Sequence, residues 1–202
     1  MKTPYVILLV IGVAGLFVAV GWLAWSLIRP YGSIKTWPEI ATRLGLTHTP
    51  FPVSTAMHPG SMAGTYEGYE VSISAQERYR RGALMVIEVR FHEPLGLGLS
   101  LGTSGAVRPP AAGGLAEFST PDQRFDKAFG PCARDTISAR GVFAQDPVRG
   151  RLLDLAGRGG NVGVDDNKLV YSAEQLVTDF APMKELLDQA VQVTRSVEDA
   201  RR

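Results

Sequence analysis

The spacing of apolar positions changes along the chain, and each change marks an element. Residues 5–28 read YVILLVIGVAGLFVAVGWLAWSLI, with no ionisable side chain except Tyr5. At 1.5 Å per residue this run is about 36 Å long, enough to cross a hydrocarbon core of about 30 Å with some tilt. A cleaved signal peptide would have a shorter apolar run, about 7–15 residues, ending in an A-x-A-like site. This run continues through Trp22 and Trp25 to Arg29, and its aromatics lie where an interfacial belt belongs. The pattern predicts an uncleaved single-pass transmembrane anchor over 1–29 and a neck over 30–35, broken by Pro30 and Gly32. Gly12, Gly15 and Ala19 share one face of that helix. They would let a second helix approach, so a weak homodimer is one expectation.

After the neck the apolar period becomes helical. Thr36 to Glu39 has capping-box spacing, and Trp37, Ile40, Ala41 and Leu44 make one stripe closed by Gly45. Thr47 to Pro59 reads as an irregular crossing rich in Pro and Thr. The period then falls to two: Met62–Tyr66 and Tyr69–Ser74 flank Glu67-Gly68 as a tight hairpin, and Gln76–Gly82 reads as a polar connection. Ala83–Phe91 follows as a strand with Met85, Ile87, Val89 and Phe91 on its core face. Leu95, Leu97, Leu99 and Leu101 alternate strictly with glycine and serine, which predicts a further strand. Residues 102–114, with Pro109-Pro110, read as a flexible loop.

Thr120-Pro121-Asp122-Gln123 predicts a short helix carrying Phe125 and Phe129 into the core. Asp135–Phe143 alternates weakly and reads as a strand. Asp146 and Pro147 open a helix with Val148, Leu152, Leu155 and Ala156 on one side, ended by Gly157–Gly160. Asn161–Val164 and Leu169–Ser172 enclose a turn at residues 165–168. A last helix starts near Thr178 with Met183, Leu186, Leu187, Ala190, Val193 and Val197 on one face, and its charged end, Arg195–Arg202, is expected to fray. Together these elements predict an α+β fold: an N-terminal transmembrane helix, then one domain over 36–202 with a mainly antiparallel sheet covered by helices.

Composition adds exclusions. Basic and acidic side chains number 21 and 20, a net charge of +1, so no global field attracts nucleic acid. The single cysteine, Cys132, allows no intrachain disulfide and lacks any nucleophile signature. His48, His58 and His92 show no metal-ligand spacing, and no cofactor is expected. Gly96, Gly98 and Gly102 lack phosphate-loop spacing, Gly60-Ser61 is not a nucleophile elbow, and residues 165–168 lack the ligand series of a calcium loop. No small-molecule substrate is identified. Arg78, Arg80 and Arg81 form the one local basic cluster, a membrane or partner contact if that hairpin meets an anionic surface, and Trp37 is a second candidate contact. Lys2 precedes the anchor while Arg29, Lys35 and Arg43 follow it, which tilts the positive-inside count towards a cytoplasmic domain.

Four segments carry a resemblance: Trp37, Ile40, Ala41, Leu44, Gly45 and Leu46; the run Gly64 to Val71; Phe125-Asp126 with Phe129; and Arg151 to Leu155. In their order the chain resembles uncharacterised bacterial single-pass membrane-anchored α+β domain proteins, a family that brings no assigned activity and implies a bacterial inner membrane. The expected function is a non-catalytic binding or scaffold domain with a protein or membrane-surface partner. The alternative is a membrane-tethered enzyme with a site assembled around His92, Glu93 and Asp135.

Overall fold

The computed structural model describes residues 36–51, 59–78, 82–104 and 114–202. The expected anchor with Gly12, Gly15 and Ala19, the neck, His58, Arg80, Arg81 and most of the 102–114 loop lie outside the described residues. Among the described residues no helix is long and apolar enough to cross a membrane. They form an α+β fold in which nine strands make one sheet with antiparallel neighbours throughout, ordered in space β1 (residues 47–49), β2 (61–66), β3 (69–78), β4 (82–90), β9 (168–173), β8 (161–165), β5 (100–102), β7 (132–133) and β6 (116–117).

Among the described residues, helix α1 covers 36–44. Its end is a double backbone cap in which Gly45 N–H donates to Thr42 O at 3.2 Å and Leu46 N–H donates to Ala41 O at 2.8 Å. Trp37 is fully buried, so the stripe position prevails over a role as an exposed contact. The chain turns directly into β1 (Thr47–Thr49), a short strand where an irregular crossing was expected. Strands β2 (Ser61–Tyr66) and β3 (Tyr69–Arg78) pair as the hairpin that alternation predicts. Glu67 and Gly68 both have positive φ, 49° and 91°, which matches the twist of a two-residue hairpin turn.

β3 runs on to Arg78 and pairs from Val71 to Arg78 with Val89 to Gly82 of β4 (Gly82–Arg90), so Gln76, Glu77, Arg78 and Gly82 of the expected polar connection are strand. Met62, Ile73, Ile87, Tyr171 and Val162 lie in one row across β2, β3, β4, β9 and β8 and all are buried. The next row, on the opposite face, includes Ser72 and Glu88, and Lys168 donates to Glu88 at 2.7 Å there.

The segment before β5 (Ser100–Gly102) differs from expectation. Leu95, Leu97, Leu99 and Leu101 are buried as their alternation requires. The backbone between them is not a strand, because Gly96 and Gly98 take φ of 69° and 62°. It winds around the Asp166 carboxylate, which accepts N–H groups from Leu97, Gly98 and Leu99 at 3.0, 2.7 and 3.0 Å. Successive N–H groups pointed at one anion form a nest of the kind that binds phosphate elsewhere. Here the anion is the protein's own turn residue.

β6 (Ala116–Glu117) and β7 (Cys132–Ala133) close the far edge of the sheet, with α2 (Gln123–Phe129) between them. Asp122 caps α2, and Phe125 and Phe129 stack at 4.7 Å in the core. The expected strand over Asp135–Phe143 is a helix, α3 (Thr136–Phe143), capped by Asp135. Its buried residues Ala139, Val142 and Phe143 have helical spacing. In α4 (Asp146–Ala156) the cap position falls on Gln145, and Asp146 instead bonds Arg149, whose guanidinium also donates to Phe143 O at 2.8 Å. That buried arginine ties the corner between α3 and α4.

β8 (Asn161–Asp165) and β9 (Lys168–Ala173) form the expected second hairpin. Helix α5 (Phe180–Arg201) then lies across the sheet and against α3 and α4, its predicted apolar face fully in the core. Its charged end does not fray. Arg195 donates to Glu67 at 3.4 Å and Arg201 to Pro94 O at 2.6 Å.

Candidate functional site

The charged end of α5 meets the exit of β4 in a cleft of about 260 Å³ lined by His92, Glu93, Glu198, Arg201 and Arg202. Each wall has a local cause. Phe91 N–H bonds Asn167 O at 2.9 Å and leaves β4 with its side chain buried, which turns His92 and Glu93 outwards. On α5, Glu198 falls one turn beyond Thr194 and two beyond Val191, so it continues the buried stripe towards the sheet.

The Glu198 carboxylate is the centre of the arrangement. It accepts the Tyr69 hydroxyl at 2.9 Å, the His92 backbone N–H at 2.6 Å and the His92 Nδ1 at 2.9 Å. The His92 and Tyr69 rings pack at 4.3 Å, and Arg195 lies 5.8 Å from the Tyr69 ring centre. The Glu198 side chain is 11% exposed and that of His92 54%. Burial works to raise the Glu198 pKa, but the hydrogen bonds from the His92 ring and N–H and from Tyr69 outweigh it and hold the carboxyl below its ordinary value. The Tyr69 phenol moves up, through burial first and then through its bond to the Glu198 carboxylate, against a smaller opposing pull from Arg195. Chemically, this constellation holds a carboxylate ionised and binds three donors to it. It fastens β3, the β4 exit and α5 together.

Of the three residues expected in an assembled enzyme site, His92 and Glu93 line this cleft and Asp135 does not. Asp135 is committed to capping α3: its carboxylate accepts Ser138 N–H at 3.0 Å, and hydrogen bonds from Ser138, hydroxyl and N–H, lower its pKa against a small opposing effect of burial. Among the described residues no three of His, Cys, Asp and Glu gather as metal ligands would. The His48 ring contacts Pro59 O at 2.8 Å, and Cys132 donates weakly to Gly130 O at 3.6 Å. In the 165–168 turn, the Asp165 carboxylate accepts Asn167 and Lys168 N–H at 2.7 and 2.9 Å, so both aspartates there serve the backbone.

Arg78 ends β3, opposite Gly82. Trp37 is enclosed, its indole N–H donating to Val177 O at 3.0 Å, so it offers no surface to a partner. Sequence reasoning missed Glu198, Tyr69 and Arg201 as members of one cluster. The available signal was the register of Glu198 on the α5 stripe.

No family model matches the chain, and no curated protein sequence matches it. Its fold is similar to that in the crystal structure of the mycobacterial trehalose monomycolate transport factor A, TtfA, with a TM-score of 0.56 at 11% identity over 85% of this chain and 95% of that one.

Proposed function

We propose that the protein is a single-pass membrane-anchored accessory protein whose α+β domain binds a partner and carries out no chemistry of its own. The observation that carries this reading is the closed bonding of Glu198. The partly buried acid of the cleft spends both oxygens on Tyr69 and His92, and the third residue of the enzyme alternative is a helix cap. A general acid or base needs a free lone pair or proton facing substrate. The fold is similar to that of a mycobacterial transport factor, which supports an accessory role. The anchor over 1–29 rests on the apolar run at 5–28. The domain's partner is a protein of the same membrane or the membrane surface itself. β3 brings Arg78 to the connection that holds Arg80 and Arg81, and this is the basic stretch for an anionic lipid contact. The positive-inside count favours a cytoplasmic domain at a bacterial inner membrane.

The test uses full-length protein in native membranes. Resistance to alkaline carbonate extraction, together with site-specific photocrosslinking from the exposed Glu93 and Ile137 positions to a discrete membrane partner, is the expected result. Release by carbonate sinks the anchor. A His92→Gln variant that keeps its fold and its crosslinks yet loses function in the cell sinks the non-catalytic reading in favour of the tethered enzyme.

A further inference from the structure

The position where the proposed anchor joins the domain selects one end of the sheet. Trp37, one residue into α1, is fully buried and bonded to Val177 O at 3.0 Å. Val177 lies in the connection from β9 to α5. β9 ends at Ala173, which pairs with Met85, and Met85 pairs with Ala75. From that row β3 and β4 run on to Arg78 and Gly82, where they are joined. The start of α1 is therefore held beside the end of the sheet at which β3 connects to β4. The opposite end carries the Glu67-Gly68 turn, the His92 exit of β4 and the last turns of α5, which Glu198 and Arg201 bind in place.

We infer that the end of the domain where β3 joins β4, with the 174–179 connection beside it, faces the bilayer surface, and that the cleft at the end of α5 points away from it. This rests on the proposed anchor at 5–28. The argument is one of reach. Seven Cα steps separate Arg29 from Thr36, about 25 Å at full stretch and about 15 Å when relaxed. Ala75 is six residues along β3 from Tyr69, about 20 Å. In an inverted domain the neck would have to span that distance plus the Glu67-Gly68 turn below it, which holds it close to full extension and costs chain entropy. In the inferred orientation that distance need not be spanned.

The experiment uses the full chain in vesicles of phosphatidylcholine and phosphatidylglycerol doped with a headgroup nitroxide lipid. On a Cys132→Ser background, a fluorophore is attached through Glu174→Cys or Asp199→Cys; both positions are exposed. Gln175→Cys, also exposed, serves as the second near-end probe should Glu174→Cys not fold. Quenching several-fold stronger at the 174 or 175 label than at the 199 label is expected. Equal or reversed quenching in carbonate-resistant vesicles overturns the orientation and leaves the anchor standing. Loss of the chain to the carbonate supernatant overturns the anchor, and the orientation falls with it.

Discussion

Replacing Glu198 with alanine removes the acceptor shared by three donors from two other elements. The Tyr69 hydroxyl belongs to a residue that is 4% exposed, so it has little access to water once its partner is gone. A buried donor left unpaired costs about 1–3 kcal/mol, and a bond to a charged acceptor is worth about 1.5–3 kcal/mol. His92 is more than half exposed, so its ring returns to water and adds little. The expected loss is about 2–4 kcal/mol of stability. Tyr69→Phe removes the same bond from the other side, and the double variant should lose about 1 kcal/mol less than the sum of the singles. The assay is urea unfolding of the full chain in detergent, followed by Trp37 fluorescence in a Trp22→Phe, Trp25→Phe background. The pH dependence has a defined sign. The folded Glu198 carboxyl lies below its ordinary range, so its stabilisation is complete above that range. It fades as pH falls through the depressed folded value. The gap between wild type and Glu198→Ala should therefore narrow only in acid. A loss below about 0.5 kcal/mol at neutral pH, or strictly additive single variants, would refute the clamp.

Gly98→Ala should destabilise by about 2 kcal/mol or more, since its φ is 62° and a Cβ would sit 2.5 Å from that of Arg134; a melting temperature within a degree of wild type would count against it. Asp166→Ala strips the acceptor from three N–H groups and should cost about 2–4 kcal/mol, read most directly as faster hydrogen exchange at 97–99 than elsewhere. Asp135→Ala should cost about 1 kcal/mol as the loss of a helix cap and leave partner crosslinking unchanged, whereas abolished function with intact stability would return Asp135 to an enzyme site. In the anchor, Gly15→Ile should lower self-association in a membrane reporter if the small-residue face pairs; no change removes that pairing.

The sequence was legible wherever burial and backbone geometry share a period. The β2–β3 and β8–β9 hairpins, the core face of β4 and the α1 and α5 stripes all meet that condition. Alternation failed at Leu95–Leu101 because every-second-residue burial has two solutions. One is a strand. The other is a loop that uses two left-handed glycines to wrap around a carboxylate, and the carboxylate is 67 to 69 residues away in sequence. At Asp135–Phe143 a weak alternation suggested a strand. Ile137 is in fact 85% exposed, while Ala139, Val142 and Phe143 carry the helical burial.

The candidate site was illegible for a related reason. Charge density at Arg195–Arg202 suggested a solvated, fraying end, as it would if those side chains met only water. Arg195, Glu198 and Arg201 instead meet acceptors and donors supplied by Glu67, Tyr69, His92 and Pro94, more than a hundred residues earlier. The β2–β3 turn and the β4 exit, brought to the same end of the sheet, hold that helix end together with Gln145, which donates to Ala200 O at 3.3 Å. The same contacts determine what the cleft can be. A carboxylate that holds three elements together cannot be freely protonated or reoriented for turnover without loosening the helix end that forms the wall beside it. A ligand that pulled His92 from Glu198 would have to offset the bonds it breaks. A partner that docks over His92 and Arg202 while leaving Glu198 in place faces no such cost, which is the physical basis of the binding role proposed for the cleft.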